Sequence, residues 1–186
     1  MVNISPYISK VDLDKFKTVL HHIVNKCTTL DNVGKTVVWK MLYFIDFDFF
    51  ESTEQSLTGE EYRKLSRGPA PCDFDRAVHE LEQEGKIEHR DKEYCGRQQC
   101  KFISLQQPNL KALNAEELSF IDREIEKLKN QTATQISALS HQDMPWKATK
   151  DGDIIDYELV FYRDKLLSVR EYPGDKEDEL SQCSRI

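Results

Sequence analysis

No apolar run in this 186-residue chain is long enough to span a bilayer. The densest, over positions 37–50, is interrupted by Lys40, Asp46 and Asp48. The first residues, MVNISPYISKVDLDKF, lack the apolar core of a secretory signal, so a cytoplasmic protein is expected. Basic residues are outnumbered, 26 against 33 acidic ones, giving a formal net charge of −7. That balance opposes broad nucleic-acid binding, which depends on cations facing phosphates. Cysteines are few, scattered and odd in number at five (Cys27, Cys72, Cys95, Cys100, Cys183). This fits free thiols in a reducing compartment better than a disulfide framework. His89, Cys95 and Cys100 match no zinc spacing and lack a fourth ligand, so neither a metal nor any other cofactor is expected. The glycines do not have phosphate-loop spacing either.

What is present is amphipathic periodicity. Behind Asp12, apolar residues at Phe16, Val19, Leu20, Ile23, Val24 and Cys27 recur at spacings of three and four, one face of a helix. KTVVWKMLYFIDFDFFES carries two apolar stripes, so this helix is apolar on most sides and should be the buried centre. SLTGEEYRKLSRGPAP is too rich in Gly, Pro and Ser for a helix; a short strand is expected over 62–65 and a stiff turn at Gly68–Pro69 and Pro71. A helix opens at Asp73 and stops at Gly85, and KIEHR and QCKFISL read as a hairpin joined by DKEYCGRQ. Asn114 with Glu117 and Thr132 with Gln135 have capping-box spacing, and a last short helix is expected over 157–163. The fold class is therefore α+β: a mostly helical single domain around a buried central helix, with a small antiparallel sheet or hairpin. The expected division is an arm over 1–11, a domain over 12–168 and an acidic, mobile tail over 169–186.

Three chemical readings compete. The order helix, strand, helix, hairpin over 34–104 is partly that of a winged helix, which raises a DNA-binding regulator as an alternative. Its recognition helix would be DFDRAVHELEQE, with one arginine among five acids, which phosphates would repel. Cys72 precedes a helix start, where unsatisfied N–H groups can favour thiolate; with His141 and an aspartate such as Asp46 it would form a thiol-dependent enzyme. Asp46, inside an apolar helix, must have a partner, with Lys64, Arg67 and His141 as candidates and a structural role favoured. In LSHQDMPWKAT, Pro145 rules out one uninterrupted helix. There, Trp146 is expected to plug the core and His141 to brace the turn by a hydrogen bond.

The third reading comes from resemblance. KMLYFIDF, LTGEEYRKLSRGPAP, LEQEGKI, LNAEELSFIDREIEKL and LSHQDMPWK, in this order, resemble the Panacea domain, the SocA-like antitoxin domain. The resemblance implies a cytoplasmic bacterial or phage antitoxin that neutralises a toxin encoded beside it, either by direct binding or as an adaptor to an ATP-dependent protease. It also implies no catalytic step. The positions it singles out are Tyr43, Asp46, Thr58, Gly59, Tyr62, Gly68, Pro69, His141, Pro145 and Trp146. Several should organise the domain core, leaving specificity to the hairpin and the acidic tail. The acidic balance would suit a basic toxin, for example one that handles RNA or nucleotides. Two departures from the family pattern stand out: Arg67 where an aromatic is more common before Gly-Pro, and Lys129–Asn130 where Tyr-Gly is common.

Overall fold

The computed structural model describes residues 11–170, so the expected arm and tail fall almost wholly outside the described residues. The order of elements is α1 (Leu13–Cys27), α2 (Lys35–Thr53), β1 (Tyr62–Leu65), β2 (Gly68–Pro71), α3 (Phe74–Gln83), β3 (Ile87–Tyr94), β4 (Arg97–Ser104), α4 (Ala115–Leu128), α5 (Ala133–Gln142), α6 (Met144–Ala148) and a 3₁₀ helix (Tyr157–Tyr162). The expected α+β class holds.

α2 is the axis because its sequence offers no polar side. Every residue from Lys40 to Glu51 is buried, and α1, β2, α4, α5 and the 3₁₀ helix all pack on it. Phe47 stacks on Tyr157 with ring centroids 4.1 Å apart, and Phe49 meets Phe120 edge-on at 5.2 Å. Such ring geometry adds about 0.5–1.5 kcal/mol per pair beyond area burial. α2 ends at Glu54, which adopts the left-handed conformation and returns its N–H to Phe50 O. α1 starts where Asp12 accepts a bond from Lys15 N, and both capping boxes form as their spacing indicated.

The sheet differs from expectation in two places. GPAP is a strand, not only a turn: β2 pairs antiparallel with β1, from Tyr62 opposite Pro71 to Leu65 opposite Gly68. Its prolines lack N–H groups and so disguise it as a loop. The other edge of β1 is covered by the 152–155 segment, through Gly152 N to Lys64 O at 2.9 Å and Ile155 N to Tyr62 O at 2.8 Å. The second hairpin is longer than its apolar ends suggest. β3 and β4 pair along eight residues each, and DKEYCGRQ is mostly strand around a tight turn at Cys95 (φ 51°) and Gly96 (φ 73°). Two consecutive left-handed residues match the twist of the flanking strands. The winged-helix order is present, but β1 pairs with β2 and the wing hairpin forms a sheet of its own.

Candidate binding surface and its buried supports

Residues far apart in sequence meet around α2 in three polar clusters. The first belongs to Asp46. Its partners are none of the three expected: Thr58 Oγ1 donates to both carboxylate oxygens at 2.8 and 2.9 Å, Thr58 N to Oδ1 at 3.2 Å, and Tyr62 O–H to Oδ2 at 2.6 Å. Burial pushes the Asp46 carboxyl up to about 6, with the Tyr62 and Thr58 bonds pulling the other way. This cluster ties the TG turn and β1 to the middle of α2. Gly59, at φ 72°, lets the turn close. Beside it, Glu60 accepts from Asp73 N at 2.9 Å and its carbonyl accepts from Tyr157 O–H at 2.7 Å. Burial lifts the Glu60 carboxyl to about 7.

The second cluster surrounds Arg163. The guanidinium grips Asp143 with two bonds, Nε to Oδ1 at 2.8 Å and Nη2 to Oδ2 at 2.7 Å. Nη1 reaches Asp48 and Glu51, each at 2.7 Å. Tyr43 O–H completes the set by donating to Asp143 Oδ2 at 2.8 Å. All five groups are buried. Burial disfavours the Arg163 charge, but Asp48 and Asp143 more than offset this and hold its pKa above the ordinary value. Asp143 is also the joint of the LSHQDMPWKAT stretch: it is extended (φ −72°, ψ 135°) and both ends α5 and begins α6, with Pro145 in the first turn of α6. The stretch is thus two helices with one broken residue between them, and that residue is pinned by Arg163.

The third cluster lies under the β1–β2 turn. Lys40 is 1% exposed and donates to Pro69 O at 2.9 Å. Gly68 sits directly above it: a Cβ there would lie 2.6 Å from Lys40 Cε and 2.7 Å from Ser140 Oγ. The His141 ring stacks on Trp146 with centroids 4.3 Å apart, and Lys64 Nζ lies 4.1 Å from the centre of the Trp146 ring. Trp146 Nε1 donates to Leu65 O at 3.3 Å. Trp146 therefore leans on the core from its margin, and His141 supports it by stacking. The hydrogen-bonding brace expected of His141 is not formed; its Nε2 is buried without a partner among the described residues. Burial, then Lys40 and Lys64, lower the His141 pKa.

The thiolate reading of Cys72 is reversed. Desolvation and the Glu60 carboxylate push its thiol up, not down, and its backbone N–H is already spent on Glu61 O at 2.9 Å. His141, committed to Trp146, makes no hydrogen bond with Cys72 or Asp46.

A family model described as "Antitoxin SocA-like, Panacea domain" matches residues 38–147. The chain belongs to this family. Comparison with curated proteins and with solved structures gave no match. All ten positions singled out by resemblance lie inside the Panacea match, and the fold sorts them into three sets. Asp46, Thr58, Gly59 and Tyr62 form one buried brace; Gly68, Pro69, His141 and Trp146 form the roof over Lys40. Tyr43 and Pro145 sit at the Asp143 joint between them. Sequence reasoning missed Lys40, Asp48, Glu51, Asp143 and Arg163. Two carboxylates on the inner turns of an apolar helix, Asp48 and Glu51, were the available signal for a buried cation. Arg163 itself lies beyond the matched Panacea span.

Lys40 yields a test. Burial lowers its pKa from 10.5 to about 8. The stability linked to a depressed lysine is fully present above its unfolded value and is lost as pH falls through about 8. Lys40→Met should therefore gain stability over the wild type at pH 7, and the advantage should shrink at pH 10. Urea denaturation at both values measures it, and a difference that does not change with pH would contradict the desolvated-lysine account.

Proposed function

We propose that the chain neutralises a toxin encoded beside it by binding that toxin, without a catalytic step. The observation that carries this reading is the Panacea-domain match over 38–147. The geometry agrees with it. Buried carboxylates that would otherwise suggest chemistry are absorbed in holding secondary structure together: Asp46 by Thr58 and Tyr62, Asp143 by Arg163 and Tyr43. Packing of α1 on α2 and the bonds of Arg163 to three carboxylates within the matched span support a domain of about 12–168. A direct block and delivery to an ATP-dependent protease both begin with the same binding step. Co-expression with the neighbouring toxin tests the reading. Growth should be restored in a host carrying both genes, and the two proteins should co-purify. Restoration that disappears in a protease-deficient host would assign the adaptor mode, whereas no restoration in either host would sink the proposal.

A further inference from the structure

One surface stands apart from the acidic character of the chain. The β1–β2 turn, α6 and the 149–154 segment are locked together by Trp146 Nε1 on Leu65 O, by Lys64 Nζ on Thr149 O at 2.8 Å and by Arg63 on Gly152 O. Arg63, Arg67, Lys147 and Lys150 are exposed on this face, with Lys64 and Lys40 beneath it. The carboxylates nearby are Glu61, Asp151 and Asp153, so positive charge is in excess on a chain whose formal net charge is −7. Among the described residues, Arg67, Lys147 and Lys150 have no carboxylate partner, and Lys64 has only the well-exposed Asp151 at 3.4 Å. Elsewhere most surface cations sit on an acid, as Lys15 does on Glu117, Lys35 on Asp75 and Lys92 on Asp31. Among the described residues, Arg97 and Lys111 are isolated exposed exceptions. Leu65 and Ile154, 39% and 38% exposed, add apolar contact within the cationic face.

Resting on the antitoxin reading above, we propose that this face docks an acidic segment of the toxin that carries an apolar side chain among its carboxylates. Unpaired cations steer and orient such a segment, and the exposed apolar pair gives it something to bury against. Nucleic acid fits the face less well. The Trp146 ring that would stack a base is already covered by His141 and Lys64, and the net charge of the chain repels a phosphate backbone. Arg67 is exposed at the tip of the β1–β2 turn, where it would set partner preference without disturbing the core.

Two charge-reversed variants of equal net charge provide the test: Arg67→Glu/Lys147→Glu on the face, and Arg97→Glu/Lys111→Glu away from it. All four residues are exposed, so both variants should keep the wild-type melting temperature. In calorimetric titration with the purified toxin, the first should bind about tenfold more weakly or worse, with a shallower salt dependence, and the second should stay within about twofold of wild type. Wild-type binding that survives the face reversal, or that falls instead with Arg97→Glu/Lys111→Glu, would overturn the proposal and leave the antitoxin reading standing. If the wild type itself does not bind the toxin, both readings fall. A mixed-sequence single-stranded RNA retained by the wild type in a gel shift, and lost by the face variant, would reassign the surface to nucleic acid.

Discussion

Arg163→Ala is expected to be the most damaging single substitution in the chain, lowering stability by about 3–5 kcal/mol. Its guanidinium is the shared partner of three buried carboxylates, Asp48, Glu51 and Asp143. Removing it leaves those acids facing each other in a medium that screens them poorly; Lys127 lies 3.6 Å from Asp48, and Val169 N and Tyr43 O–H are neutral donors to Glu51 and Asp143. Burial already raises the Asp48 pKa against the pull of Arg163, so in the variant the acids should take up protons more readily still. Arg163→Lys should recover only part of the loss, because an ammonium cannot hold Asp143 through two parallel bonds. Glu51→Gln should be milder than either, since it reduces the excess of negative charge while leaving the cation in place. Chemical denaturation of the variants measures the series. A loss for Arg163→Ala no greater than that for the exposed Arg97→Ala would show that the cluster does not hold the fold. The consequence reaches the proposed docking face, because Asp143 sets the break between α5 and α6 and thereby the position of Trp146.

Gly68→Ala is the second large effect, about 2–4 kcal/mol, from two separate causes. Gly68 has φ +103°, a region that L side chains avoid, and an added Cβ would sit 2.6 Å from Lys40 Cε. Lys40 can move only by leaving Pro69 O, and Ser140 Oγ, 2.7 Å away, blocks the other side. The two causes separate in a double-mutant cycle. Combining Gly68→Ala with Lys40→Ala should relieve the clash with Lys40 and leave the Ser140 contact and the backbone strain, giving a loss smaller than the sum of the single variants. Strict additivity would mean that Gly68 and Lys40 do not share the site described.

How far such sites can be read from sequence depends on their locality. α1, α2, α4 and the two capping boxes follow from spacing alone, because each depends on residues within a turn or two of one another. The brace at Asp46 was legible as a need but not as a solution: a carboxylate in an apolar helix demands a partner, yet cationic candidates were favoured where a hydroxyl and a phenol suffice. β2 was hidden because prolines remove the donors by which a strand is recognised, and it is stabilised by antiparallel pairing with β1. Arg163 was illegible for a different reason. Its bonds to Asp48 and Glu51 join positions 115 and 112 residues apart, and no local pattern encodes such a pairing. The acidic composition suggests a basic toxin, and the unpaired cations on the β1–β2 turn and α6 add the proposal of an acidic docking segment on that toxin. Net charge describes the whole surface; a docking face is decided by the charges left unpaired on it.

The central claim is neutralisation by binding, and stoichiometry tests it most directly. Purified chain titrated into a fixed amount of the neighbouring toxin, without protease, should reduce toxin activity in proportion to the amount added and abolish it near an equimolar ratio. Complete loss at a small fraction of that ratio would mean turnover, and undiminished activity at excess with no toxin bound to the chain would mean that the two do not associate. Either result would contradict this account.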